Sequence, residues 1–139
     1  MYDYKKSKET VESILRSPTK IVEKGLIPSS DSEFTYENGI KTWVGALFVD
    51  IVDSSKLFKS PNEDTARIIR SFCSEIISIL KDDSNYREIG IRGDCVYCIY
   101  NAPYQTDLVE IFRHAYRINS FMQMLNKLLN KFGFPTVRA

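Results

Sequence analysis

The chain has 139 residues, a formal net charge of +1, 43% hydrophobic and 27% charged residues, the profile of one modest globular domain. A charge so close to zero advertises no basic face for duplex DNA, so no nucleic-acid partner is expected. No apolar run approaches the roughly 20 residues that span a bilayer, and the polar start, Met1 to Lys8, is unlike a signal peptide; the expected location is the cytosol, with no membrane partner. The cysteines, Cys73, Cys95 and Cys98, are odd in number, which favours reduced thiols.

Residues 1–40 read as an N-terminal helical arm and linker. Val11, Ile14 and Leu15 have helical spacing and Pro18 ends that helix. A second short helix is expected from Pro18 to Lys24, stopped by Gly25, and Pro28 to Asn38 is turn-like. The main domain is assigned to 41–139. The run at 43–52, WVGALFVDIV, is apolar except for Asp50 and reads as a buried strand. Ser60-Pro61-Asn62-Glu63 has the spacing of a capping box with Pro at the first helical position. The following helix has an apolar stripe of Ala66, Ile69, Phe72, Cys73, Ile76, Ile77 and Leu80. Residues 86–100 read as a hairpin with Gly93-Asp94 at its turn. A long helix is expected over 105–132, its apolar face made by Leu108, Ile111, Phe112, Ala115, Ile118, Phe121, Met122, Leu125 and Leu129. Gly133 and Pro135 stop it, and 135–139 resembles the start of a strand. Strand, helix, hairpin, helix, strand is the opening of a ferredoxin-like α+β arrangement.

Asp50 is an anomaly in this pattern, because a carboxylate in an apolar strand is costly to bury unless paired or metal-bound. Asp94 sits at a hairpin tip on a strand expected beside the first. Two carboxylates brought together repel, and a divalent cation resolves the repulsion; Mg²⁺ is commonly held by one or two carboxylates plus phosphates. The segment Ile51-Val52-Asp53-Ser54-Ser55 passes from strand to helical turn, where backbone N–H groups form an anion site. Taken singly these features have plainer readings: a turn aspartate, a helix N-cap. Arg92-Gly93-Asp94 matches a cell-adhesion tripeptide only by coincidence. The Cys95-x-x-Cys98 spacing could suggest zinc or redox chemistry, but residues three apart on a strand point to opposite faces. The single histidine, His114, falls among charged residues of a helix, so a set of four zinc ligands is not in view.

GALFVDIVDSSKLF at 45–58 and REIGIRGDCVYCIYNAP at 87–103 resemble the two signatures of class III adenylate and guanylate cyclases. The likeness covers about 43–139. It implies the ferredoxin-like cyclase fold, truncated here, since the family's transition-state Asn and Arg would lie beyond Ala139. Asp50 and Asp94 match the metal-binding aspartates, Ile51 the residue whose carbonyl helps hold an ion, and Val52, Asp53, Ser54 and Ser55 the triphosphate loop. The purine-reading Lys or Glu, four residues before the hairpin aspartate, is replaced by Gly90, which leaves room for another group, and Arg92 is a further base-recognition candidate. This pattern is similar to the pyrimidine cyclases of bacterial antiphage (Pycsar) defence. The resemblance therefore implies conversion of CTP or UTP to the 3′,5′-cyclic monophosphate plus pyrophosphate, with two divalent ions (Mg²⁺ or Mn²⁺), in a head-to-tail homodimer. Alternatives are a purine cyclase, a degenerate nucleotide-binding domain, or another two-aspartate palm enzyme; against a diguanylate cyclase, Cys95 stands where a Glu should follow the aspartate.

Overall fold

A computed structural model describes residues 1–35, 37–59 and 62–139. They form two units, Met1–Trp43 and Val44–Ala139, and together are mixed α/β, compatible with an α+β fold.

In the first unit, α1 spans Tyr4–Arg16 and is capped by Asp3, whose carboxylate accepts from the Lys5 and Lys6 amides. The segment expected as a second helix is instead strand β1, Lys20–Glu23, paired in parallel with β2, Asn38–Lys41. The β-branched pair Ile21-Val22 suits a strand, and a partner strand 18 residues on, Lys20 opposite Asn38, outweighs the local pattern. A 3₁₀ turn at Asp31–Glu33, capped by Ser30, lies in the turn-like stretch.

The second unit is built on strands β3 (Val44–Val49), β4 (Tyr86–Arg92) and β5 (Cys95–Asn101), all antiparallel in the order β3-β5-β4. Between β3 and β4 run α2 (Ser54–Phe58) and α3 (Glu63–Leu80); α4 (Gln105–Lys131) follows β5. Gly93 turns the hairpin with a φ of 65°, the positive value that primed two-residue turns require. The expected capping box is displaced: Asn62, not Ser60, caps α3, its side chain accepting from the Thr65 amide at 2.9 Å. Ser60 and Pro61 lie outside the described residues.

The core lies between α3, α4 and one sheet face. Phe72, Ile76, Leu80, Val96, Cys98 and Tyr100 are fully buried. The stripe of α3 is rotated from the expected one: Thr65 and Ile68 are buried while Ala66 is exposed. On α4, Leu108 and Phe112 are exposed, and His114 takes a core position. It stacks on Tyr100 at 5.8 Å between ring centroids, with Nε2 3.7 Å from an Asp83 carboxylate oxygen. A histidine expected among charges is thus a buried ring. Gly45 permits the close approach of α4, because a Cβ there would collide with the Ile111 side chain.

The strand at 43–52 is not buried on both sides. Val44, Ala46 and Phe48 are exposed, while Val49 is buried. Helices cover one face, so the apolar run supplies a core side and an open side. Nor is 135–139 a strand. Val137 is buried and exchanges two 2.8 Å hydrogen bonds with the Asn126 side chain, and the Val52 amide donates to Arg138 O at 2.8 Å.

Candidate active site

Asp50 directly follows β3, and Asp94 occupies the turn that leads into β5. Because Val49 lies opposite Val96 in the β3–β5 ladder, the two carboxylates come to one end of the sheet. Their side chains interact directly. The side-chain contact with Asp94, with slight desolvation and the neighbouring charge, raises the Asp50 carboxyl above its ordinary range. Burial works to raise Asp94 too, but contacts with Ser54 and Asp50 outweigh it and hold Asp94 below its ordinary range. Asp50 itself is exposed, contrary to the expectation of a buried carboxylate. The buried oxygen belongs to Asp94: Oδ2 has no partner of good hydrogen-bond geometry. A buried carboxylate oxygen left unpaired costs free energy, and a cation between the two aspartates would remove that cost and the repulsion together. Among the described residues no group of three or more His, Cys, Asp and Glu is gathered for a metal. A two-carboxylate site suits an ion whose remaining ligands are carbonyls, water or phosphate.

The loop that follows is unevenly suited to phosphate. Ile51 is buried, and the Val52 amide is already donated to Arg138 O. Asp53 has a left-handed backbone, φ 58°, and its carboxylate pairs with Lys56 at 2.8 Å and lies 4.0 Å from Arg138. Ser54 begins α2 and touches Asp94; Ser55 is exposed beside it. Lys56 and Arg138, both well exposed, are cations at this loop that sequence spacing did not single out. Arg138 is far away along the chain, and its contacts with Val52 and Asp53 reveal the proximity.

Gly90 and Arg92 lie on the open face of β4. The room left by Gly90 is not vacant. A Cβ there would stand 2.6 Å from Cε1, Cζ and the hydroxyl of Tyr97, whose ring crosses the glycine. Tyr97 donates to Glu88 Oε1 at 2.7 Å, stacks on Phe48 at 6.0 Å between centroids with planes 21° apart, and has the Arg92 guanidinium 6.0 Å from its ring. Tyr97 and Glu88 were missed in the sequence. Hairpin counting from Gly93-Asp94 could have found the pair, since it sets Gly90 opposite Tyr97.

The cysteines are free thiols. Cys95 is on the open side and Cys98 is fully buried, on opposite faces as their spacing requires. Burial, with the nearby aspartates adding to it, pushes the Cys95 thiol up, and burial first does the same for Cys73 and Cys98; these are poor nucleophiles. Among the described residues no helix is long and apolar enough to cross a membrane.

No family model matches the chain. It is similar to the uridylate cyclase of Gulbenkiania mobilis, 28% identical over 131 residues that cover 90% of this chain and 50% of that protein. It is more similar to the uridylate cyclase of Treponema porcinum, 44% identical over 137 residues that cover 98% of this chain and 48% of that protein. The chain thus spans about half the length of the curated relatives it matches.

Proposed function

We propose that this chain carries the carboxylate pair of a pyrimidine nucleotidyl cyclase that converts UTP to 3′,5′-cyclic UMP and pyrophosphate. The observation that carries the reading is the 44% identity to a uridylate cyclase across almost the whole chain, joined to two aspartates, Asp50 and Asp94, whose carboxyl groups meet at one end of a sheet. The finer fold is proposed to be the ferredoxin-like arrangement of class III cyclases, which the antiparallel order β3-β5-β4 with both long helices on one face supports.

The residues fit two divalent ions, Mg²⁺ or Mn²⁺, held by Asp50, Asp94 and the Ile51 carbonyl. Such ions would favour ionisation of the ribose 3′-hydroxyl and neutralise charge on the leaving pyrophosphate. The chain's own contribution is positioning. Asp50 and Asp94 fix where positive charge sits, Ser54 orients Asp94, and the loop at 52–55, with Lys56 and Arg138 beside it, offers the amides after Val52, hydroxyls and cations to the β- and γ-phosphates. A head-to-tail homodimer completing each site, and a role in antiphage signalling, belong to the same proposal.

The test is incubation of the natural full-length protein with ATP, GTP, CTP and UTP separately, with Mn²⁺, followed by mass spectrometry. Cyclic UMP is expected, and Asp50→Ala abolishes it. Wild-type-like turnover in that variant would remove Asp50 from the metal site, and cyclic AMP or GMP as the main product would remove the pyrimidine assignment.

A further inference from the structure

The helix side of the second unit carries a groove that the carboxylate pair does not use. It runs along the seam between α3 and α4, with Ile91 of β4 and Phe134 beyond α4 also lining it, and holds about 920 Å³, at the upper end of the range for small-molecule sites. The sequence makes its two walls unlike. α4 presents Phe121, Met124, Leu125, Leu128 and Phe132, spaced as one helical stripe, of which Met124, Leu128 and Phe132 are exposed. α3 faces them with Arg67, Ser71 and Ser74 at the same spacing, and with Arg70. Serines where a helix pair commonly interdigitates large apolar residues leave the seam unfilled. The most buried lining residues, Cys73, Phe121, Leu125 and Leu129, are apolar, so the polar groups stand at the rim.

The charge at that rim is lopsided. Arg67 is already paired with Glu63 and Asp64. Arg70 is exposed and has no ion-pair partner among the described residues. Ser71 and Ser74, next to it and one turn on, are exposed as well. Among the described residues Glu75 is the one carboxylate of the lining, five residues past Arg70 and so about 7.5 Å along the helix. A guanidinium without a counter-ion at the mouth of an apolar groove favours an anion with an apolar body. From Arg67 to Ile77 the α3 wall runs about 15 Å, room for a medium-length alkyl chain. A seam between two packed helices admits one such chain, whereas a bilayer offers a flat surface. We propose that the α3–α4 groove binds a single-chain anionic amphiphile of the fatty-acid class, its carboxylate on Arg70 and the Ser71 and Ser74 hydroxyls, its chain against Phe121, Met124, Leu125 and Leu128. The proposal is independent of the cyclase reading, because the lining includes neither aspartate of the pair nor the loop beside it.

The test titrates the natural full-length protein in a calorimeter with three ten-carbon probes below their micelle concentrations: decanoate, decyl maltoside and decyltrimethylammonium. Decanoate is expected to bind saturably and at least about tenfold more tightly than the cation, the scale of one charge-assisted hydrogen bond. Octanoate, two methylenes shorter, is expected to bind about tenfold more weakly than decanoate. Arg70→Glu, a surface substitution that leaves the core intact, removes the preference for decanoate over the cation. Leu128→Glu, which sets a carboxylate on the apolar wall, weakens decanoate about tenfold or more, with circular dichroism as a folding control. Absence of saturable decanoate binding overturns the proposal, as do equal affinities for the three probes or an unchanged decanoate affinity in Arg70→Glu. A protein that sediments with anionic phospholipid vesicles but ignores decanoate has a bilayer-binding surface instead, which overturns it too. Arg70→Glu alters no buried residue, so its result stands even where Leu128→Glu fails to fold.

Discussion

The contact between Gly90 and Tyr97 can be weighed by a double-mutant cycle. In a strand interior glycine costs roughly 0.5–1 kcal/mol relative to alanine, so Gly90→Ala in open space would stabilise the protein. Here the new Cβ would fall 2.6 Å from the Tyr97 ring and hydroxyl, far inside van der Waals contact. The ring must swing away, giving up its bond to Glu88 and its stack on Phe48. Overpacking of this kind costs about 1–3 kcal/mol, towards the lower end here because the far end of a half-exposed side chain can move. The net expectation for Gly90→Ala is a loss of about 1 kcal/mol, after the glycine term is subtracted. In a Tyr97→Ala background the obstacle is gone, and the same substitution should gain about 0.5–1 kcal/mol. The sign reverses between backgrounds, a coupling of about 1.5–2 kcal/mol, within the range for residues in contact. Urea denaturation of the four proteins, followed by circular dichroism, reads this directly. Additivity within about 0.5 kcal/mol would refute the claim that Tyr97 occupies the space over Gly90.

Two further outcomes follow from particular contacts. Tyr100 is fully buried and its hydroxyl donates to the Leu80 carbonyl at 3.0 Å, at the end of α3. Tyr100→Phe leaves that carbonyl without its partner and should cost about 1–3 kcal/mol in chemical denaturation; a loss near zero would mean that water replaces the hydroxyl. Cation binding should depend on pH through Asp50. Its pKa is raised in the folded protein, so protonation favours the fold, and this contribution to stability is lost as pH rises through the raised value. A cation must displace that proton, so Mn²⁺ affinity, followed by paramagnetic resonance, should fall as pH drops through the same window, before Asp94, which is lowered, begins to titrate. Affinity that stays flat as pH falls from neutral through the ordinary carboxylate range would contradict the interaction between the two aspartates.

What was legible in the sequence was local. The hairpin at 86–100 follows from Gly93-Asp94 between two apolar runs, and α3 and α4 from residues at helical spacing. The failures are non-local. β1 resembles a short helix until the partner strand Asn38–Lys41 is known. A run such as Val44 to Val49 is apolar whether one face or both are covered, and no periodicity distinguishes the cases. His114 has charged neighbours in sequence, yet the helix turns it inward onto Tyr100. For the site, Asp50 and Asp94 were visible because carboxylates stand out in apolar or turn contexts, although the reason given for Asp50, burial, holds for Asp94 Oδ2 instead. Tyr97, Lys56 and Arg138 carry no such contrast. Each is an ordinary residue: strand register places Tyr97, the pair with Asp53 places Lys56, and the tail's contacts with Val52 and Asp53 place Arg138.

The middle strand explains why a site on an otherwise open face can still be well defined. Along β5, Val96, Cys98 and Tyr100 point into the core and are fully buried, and Cys95, Tyr97 and Ile99 alternate with them towards the open side. Tyr97 therefore sits between two anchored residues, with hydrogen-bonded strands on both sides, and its backbone cannot move without disturbing the packing of α3 and α4. Asp94 is two residues before Val96 and shares that anchor. On the other edge, Val49 is buried immediately before Asp50. The carboxylate pair and the Tyr97 ring are thus held by the same few core side chains. Groups that repel each other or face solvent stay within the fraction of an ångström that chemistry demands when the supporting shell is rigid. Here that shell is the helix-covered face of the same three strands.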